Sequence, residues 1–239
     1  MNINIFKDKK MWENLEKYNT DIIDVYNKDG GKGSTYWFNP DTFKEHSWVR
    51  KRTVAGQSFI KDLEYSKYYN LFLTGGNYLS LFLINKLYSD NKNILIEDVC
   101  CGMGRLVFYL SKLGFNNFSM IDDFSQIREE LFNAVMKKGN VNFVLNQKKT
   151  KPIVSNLVDY PWYVNPTPNE ISPKDEVPDS SELFCFYCAP NIFVSIGKYL
   201  LENGYKELCM SQDLISVAYC KEEKYEEFKN KLKSYIIGE

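Results

Sequence analysis

A chain of 239 residues with 44% apolar and 15% aromatic side chains can bury a full core, so one compact globular unit is expected and wholesale disorder is excluded. Its 30 basic and 31 acidic residues leave a net charge of −1, so the chain-wide field recruits no polyanion and a nucleic-acid partner would need a local basic patch. No apolar run approaches the ~20 residues that cross a bilayer, and the start MNINIFKDKK lacks the apolar centre of a secretion signal, so no membrane association and a cytoplasmic location are expected.

The six cysteines, at positions 100, 101, 185, 188, 209 and 220, sit mostly in apolar strand-like runs. They read as buried free thiols, not as the disulfide framework of a small secreted chain. Cys185 and Cys188 form one CxxC, and His46 is the only histidine. No second ligand pair with zinc-site spacing accompanies them, so no metal site is expected.

Residues 1–90 read as an N-terminal helical flank or lid. Apolar and aromatic residues at 11, 12, 15, 18, 22, 23 and 26 predict a helix over 11–26, ending in the loop Lys28-Asp29-Gly30-Gly31-Lys32-Gly33. Trp48-Val49-Arg50-Lys51-Arg52 is the densest positive charge; a solvated basic face is expected there, with a grip on phosphate or an acidic substrate as the alternative. Residues 78–88, YLSLFLINKLY, are apolar almost all round and predict a buried helix.

Residues 91–239 read as the main domain. Ile94-Leu95-Ile96 is a short apolar run suited to a central parallel strand, and it leads into Glu97-Asp98-Val99-Cys100-Cys101-Gly102-Met103-Gly104-Arg105. Leu106, Val107, Leu110 and Leu113 then mark a helix that stops at Gly114. A second strand over 118–121 closes in Asp122-Asp123, where Asp123 or Ser125 caps a helix carrying Ile127, Leu131, Ala134 and Val135. A third strand over 141–145 ends in Asn146-Gln147. Repeated βα units with short joins predict an α/β fold, Rossmann-like and mostly parallel, with helices on both faces.

Ligands of such sheets bind at the carboxyl ends of the strands, where the first βα turn offers backbone N–H groups. Gly102 and Gly104 let the backbone bend and approach a ligand closely. An acid about 20 residues on, Asp122 or Asp123, is placed to bond both ribose hydroxyls of an adenosine, and Asp98 can face a cationic ligand end. The pattern points to an adenosine-containing cofactor. A G-x-G-x-x-G fingerprint read from Gly102 has Val107 in place of its third glycine, and one read from Cys100 lacks its first, which disfavours a diphosphate and hence a nicotinamide oxidoreductase.

The stretch ILIEDVCCGMGRLVFYLSKLGFNNFSMIDDF over residues 94–124 resembles the first motif and following acidic strand of class I S-adenosylmethionine-dependent methyltransferases. The resemblance implies a methyltransferase using S-adenosylmethionine, with the methyl acceptor and the oligomeric state unspecified. It implies that Asp98 lies near the methionine moiety, that Cys100, Gly102, Met103 and Gly104 form the cofactor loop, and that Asp122, or its neighbour Asp123, binds the ribose. Asn146 then occupies the place of the acid that bonds the adenine amino group, and an amide oxygen can also accept that bond. The departure from the pattern is Cys100 in place of the first glycine. A catalytically inactive, methyltransferase-like binding or scaffold protein is the alternative.

Residues 148–181 hold six prolines, at 152, 161, 166, 168, 173 and 178, and read as a proline-rich insertion without helix or central strand. Asn165-Pro166-Thr167-Pro168 resembles the Asn-Pro-Pro-Tyr motif of amino-group nucleic-acid methyltransferases, but no strand is evident before it. The fourth strand is placed at residues 183–187, so Tyr187, Cys188 and Asn191 become the substrate-side candidates, Tyr187 also beside the cofactor. A nucleophilic Cys188 is the sharper reading and a buried one the expected reading. A helix over 192–202, strands over 205–210 and 214–219, and a last helix with Tyr225, Phe228 and Leu232 follow. On this count the usual helix between the fifth strand and the final hairpin is missing.

Overall fold

The computed structural model describes residues 1–28, 71, 73, 75–122, 124, 129–147, 151–158, 180–187, 190–211 and 216–238. Asp123, Cys188, His46, the Trp48-to-Arg52 patch, the Gly30 loop and the Asn165-Pro166-Thr167-Pro168 stretch lie outside the described residues, as do the side chains of Tyr187 and Asn191.

The strands are β1 (Asn2–Ile3), β2 (Ile96–Val99), β3 (Phe118–Ile121), β4 (Phe143–Leu145), β5 (Val154–Val158), β6 (Leu183–Tyr187), β7 (Tyr205–Ser211) and β8 (Val217–Lys221). They form one sheet in the order β1-β7-β8-β6-β5-β2-β3-β4. All neighbours run parallel except β8, which is antiparallel to both β6 and β7. Every residue of β2 is buried, as expected of a central strand covered on both faces.

The helices are α1 (Lys9–Glu16), α2 (Asn19–Lys28), α3 (Gly75–Leu87), α4 (Arg105–Lys112), α5 (Glu129–Gly139), α6 (Pro190–Glu202) and α7 (Tyr225–Leu232). One core joins α1, α3, α4, α5 and α7 to the sheet through Trp12, Phe82, Phe108, Phe132 and Phe228, all nearly or fully buried. A second core sets Ile196 and Leu200 of α6 against Phe184, Phe186, Val217 and Tyr219. Each fully buried large apolar side chain contributes about 1.5–3 kcal/mol, so both sheet faces gain from helical cover. The fold is the expected Rossmann-like, mostly parallel α/β sheet.

Three expectations are corrected. The helix expected over 11–26 is two helices, broken at Lys17-Tyr18. Met11, Trp12 and Leu15 of α1 are buried in the core shared with α3, whereas α2 meets α5, where Lys138 pairs with Asp21 at 3.1 Å.

The region read as strand-free holds β5, a central strand between β2 and β6. Pro152 precedes it and Pro161 follows it, so neither removes a ladder N–H from its five residues. Ser155 and Asn156, fully buried, disguise it as a polar stretch.

It follows that Leu183–Tyr187 is the fifth strand of the parallel run that starts at β2, not the fourth. Helix α6 is then the connection from that strand to the final β7–β8 hairpin, and nothing is missing from the tail. Tyr187, Cys188 and Asn191 accordingly follow the fifth strand, and the segment after the fourth begins at Asp159.

The described N-terminal residues are tied to this sheet. Strand β1 pairs with β7, Asn4 N–H donates to Tyr235 O at 2.8 Å, and the Trp12 indole donates to Ile5 O at 3.0 Å.

Candidate functional site

The chain leaves β2, adds β3 and β4 to one side, then returns to place β5 on the other side of β2. The crevice at such a reversal, outside the carboxyl ends of the strands, is where open α/β sheets bind ligands. The register shows where it opens: β2 and β5 pair as Ile96↔Val154, Glu97↔Ser155 and Asp98↔Asn156 and then part, while β2 stays paired with β3 through Val99↔Ile121.

The turn from β2 into α4 is built from left-handed residues, with φ of 57° at Cys100, 55° at Gly102 and 73° at Gly104. Cys100 therefore stands in a conformation that favours glycine, at a cost of about 1–2 kcal/mol. Cys101 N–H donates to Ile121 O at 3.1 Å and Gly104 N–H to Cys101 O at 2.8 Å, which closes the turn. A Cβ on Gly104 would come within 2.4 Å of Met136 Cε, the flexible end of that side chain, so the demand for glycine there comes chiefly from φ 73°. Met103 is buried, so it faces the core and offers a ligand its backbone only. Gly104 is the N-cap of α4 and has no side chain to accept a hydrogen bond from the first turn.

Asp122 holds the turn from the next strand. Its Oδ2 accepts the Gly102 N–H at 2.8 Å and its Oδ1 the Phe124 N–H at 2.7 Å. Asp122 N–H in turn donates to Asn146 Oδ1 at 3.0 Å. Asn146, itself left-handed at φ 54°, ties back to Met120 O through its N–H at 2.8 Å. The ends of β2, β3 and β4 are thus linked into one rim. The Asn146 amide oxygen and both Asp122 carboxylate oxygens serve this rim.

Asp98, penultimate in β2, is 3% exposed. Its Oδ1 accepts Asn156 Nδ2 at 2.7 Å, and Asn156 is held by Ser80 and Asn77 of α3. Asn156, Ser80 and Asn77 were not singled out from sequence; the available signal was a Ser-Asn pair inside an otherwise apolar five-residue run.

The buried thiols of Cys101, Cys185 and Cys220 are poor nucleophiles. Burial, with the Asp98 and Asp122 carboxylates adding to it, raises Cys101 well above the ordinary thiol range. Burial pushes Cys185 up to about 12, against a Ser80 hydrogen bond that lowers it, and Cys220 also to about 12. Among the described residues no group of three or more His, Cys, Asp or Glu is placed to hold a metal ion, and no helix is long and apolar enough to cross a membrane.

The residues present suit a ligand with a cationic end and an adenosine end: a buried carboxylate at the mouth of the crevice, a glycine turn with a helix start, and a second carboxylate at the end of β3. No protein-family model and no curated sequence matches this chain significantly. Similar solved structures include a proposed RNA methyltransferase from Pyrococcus horikoshii, at 12% identity and a TM-score of 0.47 over 61% of this chain and 82% of that one. A proposed class I S-adenosylmethionine-dependent methyltransferase from Listeria monocytogenes overlaps at 12% identity and a TM-score of 0.45, over 91% of this chain and 85% of that one. A 16S rRNA methylase overlaps at 11% identity and a TM-score of 0.41, over 91% and 97%. The strand order and the Asp122-held turn make this a Rossmann-like, mostly parallel α/β domain with a ligand crevice at the reversal beside β2.

Proposed function

We propose that the protein is an S-adenosylmethionine-dependent methyltransferase. The observation that carries the reading is the left-handed turn at the switch point, held by Asp122 from the next strand, with the buried carboxylate of Asp98 two residues before it.

S-adenosylmethionine supplies an activated methyl group on a sulfonium, so the protein's task is orientation and desolvation more than acid–base chemistry. The turn from Cys100 to Gly104 presents backbone to the cofactor. Asp122, at the end of β3 and beside the turn, would accept hydrogen bonds from the ribose hydroxyls. Asp98 takes the ammonium of the methionine end. The same carboxylate argues against a nicotinamide dinucleotide, because a buried negative charge beside the turn repels a pyrophosphate. Val107, fully buried, fills the position of the third fingerprint glycine.

The acceptor side belongs to the segment after the fourth strand. In sequence that is Asp159-Tyr160-Pro161-Trp162: a carboxylate to receive a hydrogen from the acceptor and aromatic rings to cover it. Calorimetric titration with S-adenosylhomocysteine and NAD, followed by transfer of labelled methyl groups to fractions of a cell extract, tests the reading. Binding of S-adenosylhomocysteine and label in one fraction support it. NAD binding with no response to the sulfur compound overturns it.

A further inference from the structure

The last register pair before β2 and β5 separate is Asp98↔Asn156, and paired residues across parallel strands point to the same face. Their side chains meet there: Asn156 Nδ2 donates to Asp98 Oδ1 at 2.7 Å. Asn156 is fully buried, in a strand where an apolar residue would satisfy the packing alone. A buried carboxamide is retained at no penalty only when its donors and acceptor are used.

Its groups are used in one orientation. Nδ2 reaches Asp98 Oδ1 and, at 3.3 Å, Asn77 Oδ1, while Oδ1 accepts the Ser80 hydroxyl at 2.5 Å. Turning the amide over would set its oxygen against the oxygens of both Asp98 and Asn77. Ser80 and Asn77 both belong to α3, so α3 and Asp98 of β2 together hold the amide in place.

We propose that Asn156 is a positioning residue for the amino-acid end of the cofactor, acting through Asp98, with Ser80 fixing the amide. The proposal rests on the cofactor reading given above. A neutral amide donor supports the Asp98 carboxylate without adding a counter-charge. It fixes one carboxylate oxygen where the strands part, and with it the orientation of the carboxylate toward a ligand ammonium.

The test compares two ligands on the full chain. S-adenosylhomocysteine carries the amino-acid end; 5′-methylthioadenosine keeps the adenosine and thioether and lacks it. In Asn156→Leu, which keeps the branching of the side chain and removes its polar atoms, affinity for S-adenosylhomocysteine is expected to fall about tenfold or more, as for loss of a charge-assisted hydrogen bond, while that for 5′-methylthioadenosine stays within about twofold. Ser80→Ala, a smaller change that leaves β5 intact, is expected to shift the same ratio in the same direction by about threefold. A purely structural role would lower both affinities together. Equal losses for the two ligands in Ser80→Ala, or no loss for either, overturn the proposal while leaving the cofactor reading standing. If the unsubstituted protein binds neither ligand, the cofactor reading falls and this proposal with it.

Discussion

The Gly102 N–H donates to Asp122 Oδ2 at 2.8 Å, across twenty residues of sequence. One carboxylate therefore has two tasks, closing the turn and presenting itself to a ligand at the end of β3. Asp122→Ala is expected to lower affinity for S-adenosylhomocysteine by about 1–3 kcal/mol and to lower the thermal midpoint too, because the Gly102 and Phe124 N–H groups lose their acceptor. Asp122→Asn keeps one acceptor oxygen and should fall between. Calorimetry and thermal melts check both. Unchanged affinity in Asp122→Ala would transfer the ribose to Asp123.

The turn makes unequal demands at its left-handed positions. Gly104, at φ 73°, has Met136 Cε where a Cβ would go. The methionine end can yield but the backbone cannot, so Gly104→Ala is expected to destabilise by about 1–3 kcal/mol in urea unfolding. Cys100→Gly relieves a non-glycine residue at φ 57° while freeing the unfolded chain. Its stability should stay within about 1 kcal/mol of the parent, with cofactor affinity retained.

Buried thiols set an alkaline limit. An exposed thiol ionises near 9.0, whereas burial holds Cys185 and Cys220 protonated up to about 12. Between these values the unfolded chain binds fewer protons than the folded one, so stability falls as pH rises, by about 1.4 kcal/mol per pH unit for each thiol. The thermal midpoint should drop between about pH 9 and 11, and Cys185→Ala with Cys220→Ala should flatten that slope. A slope unaltered by the double substitution would contradict the assignment.

Acceptor chemistry separates from cofactor binding. Asp159→Ala, directly after β5, is expected to leave affinity for S-adenosylhomocysteine within about twofold and to reduce methyl transfer by about tenfold or more, the pattern of a group needed after the cofactor is bound. Asn191→Ala, after the fifth strand, should change neither by more than about twofold.

The sequence carried the turn and the two strands beside it because their signals are local. Glycines at 102 and 104, an apolar run before them and an acid some twenty residues later all fall within 94–124. Strand β3 matches its expected span of 118–121. What was illegible depends on partners far along the chain. Strand β5 is recognisable only once Ser155 and Asn156 have partners, and these come from Ser181, Asp98, Asn77 and Ser80. Strand β1 is two residues long and exists through pairing with β7, some two hundred residues away. Prolines at 152 and 161 suggest a strand-free stretch, yet they flank β5 without entering it, which makes Leu183–Tyr187 the fifth strand of the parallel run and not the fourth.

The most direct test of the central claim is calorimetric titration of the unsubstituted protein with S-adenosylhomocysteine, with NAD titrated in parallel. The expected result is saturable binding of S-adenosylhomocysteine at one site per chain and no heat from NAD. Saturable NAD binding with none of S-adenosylhomocysteine would contradict it.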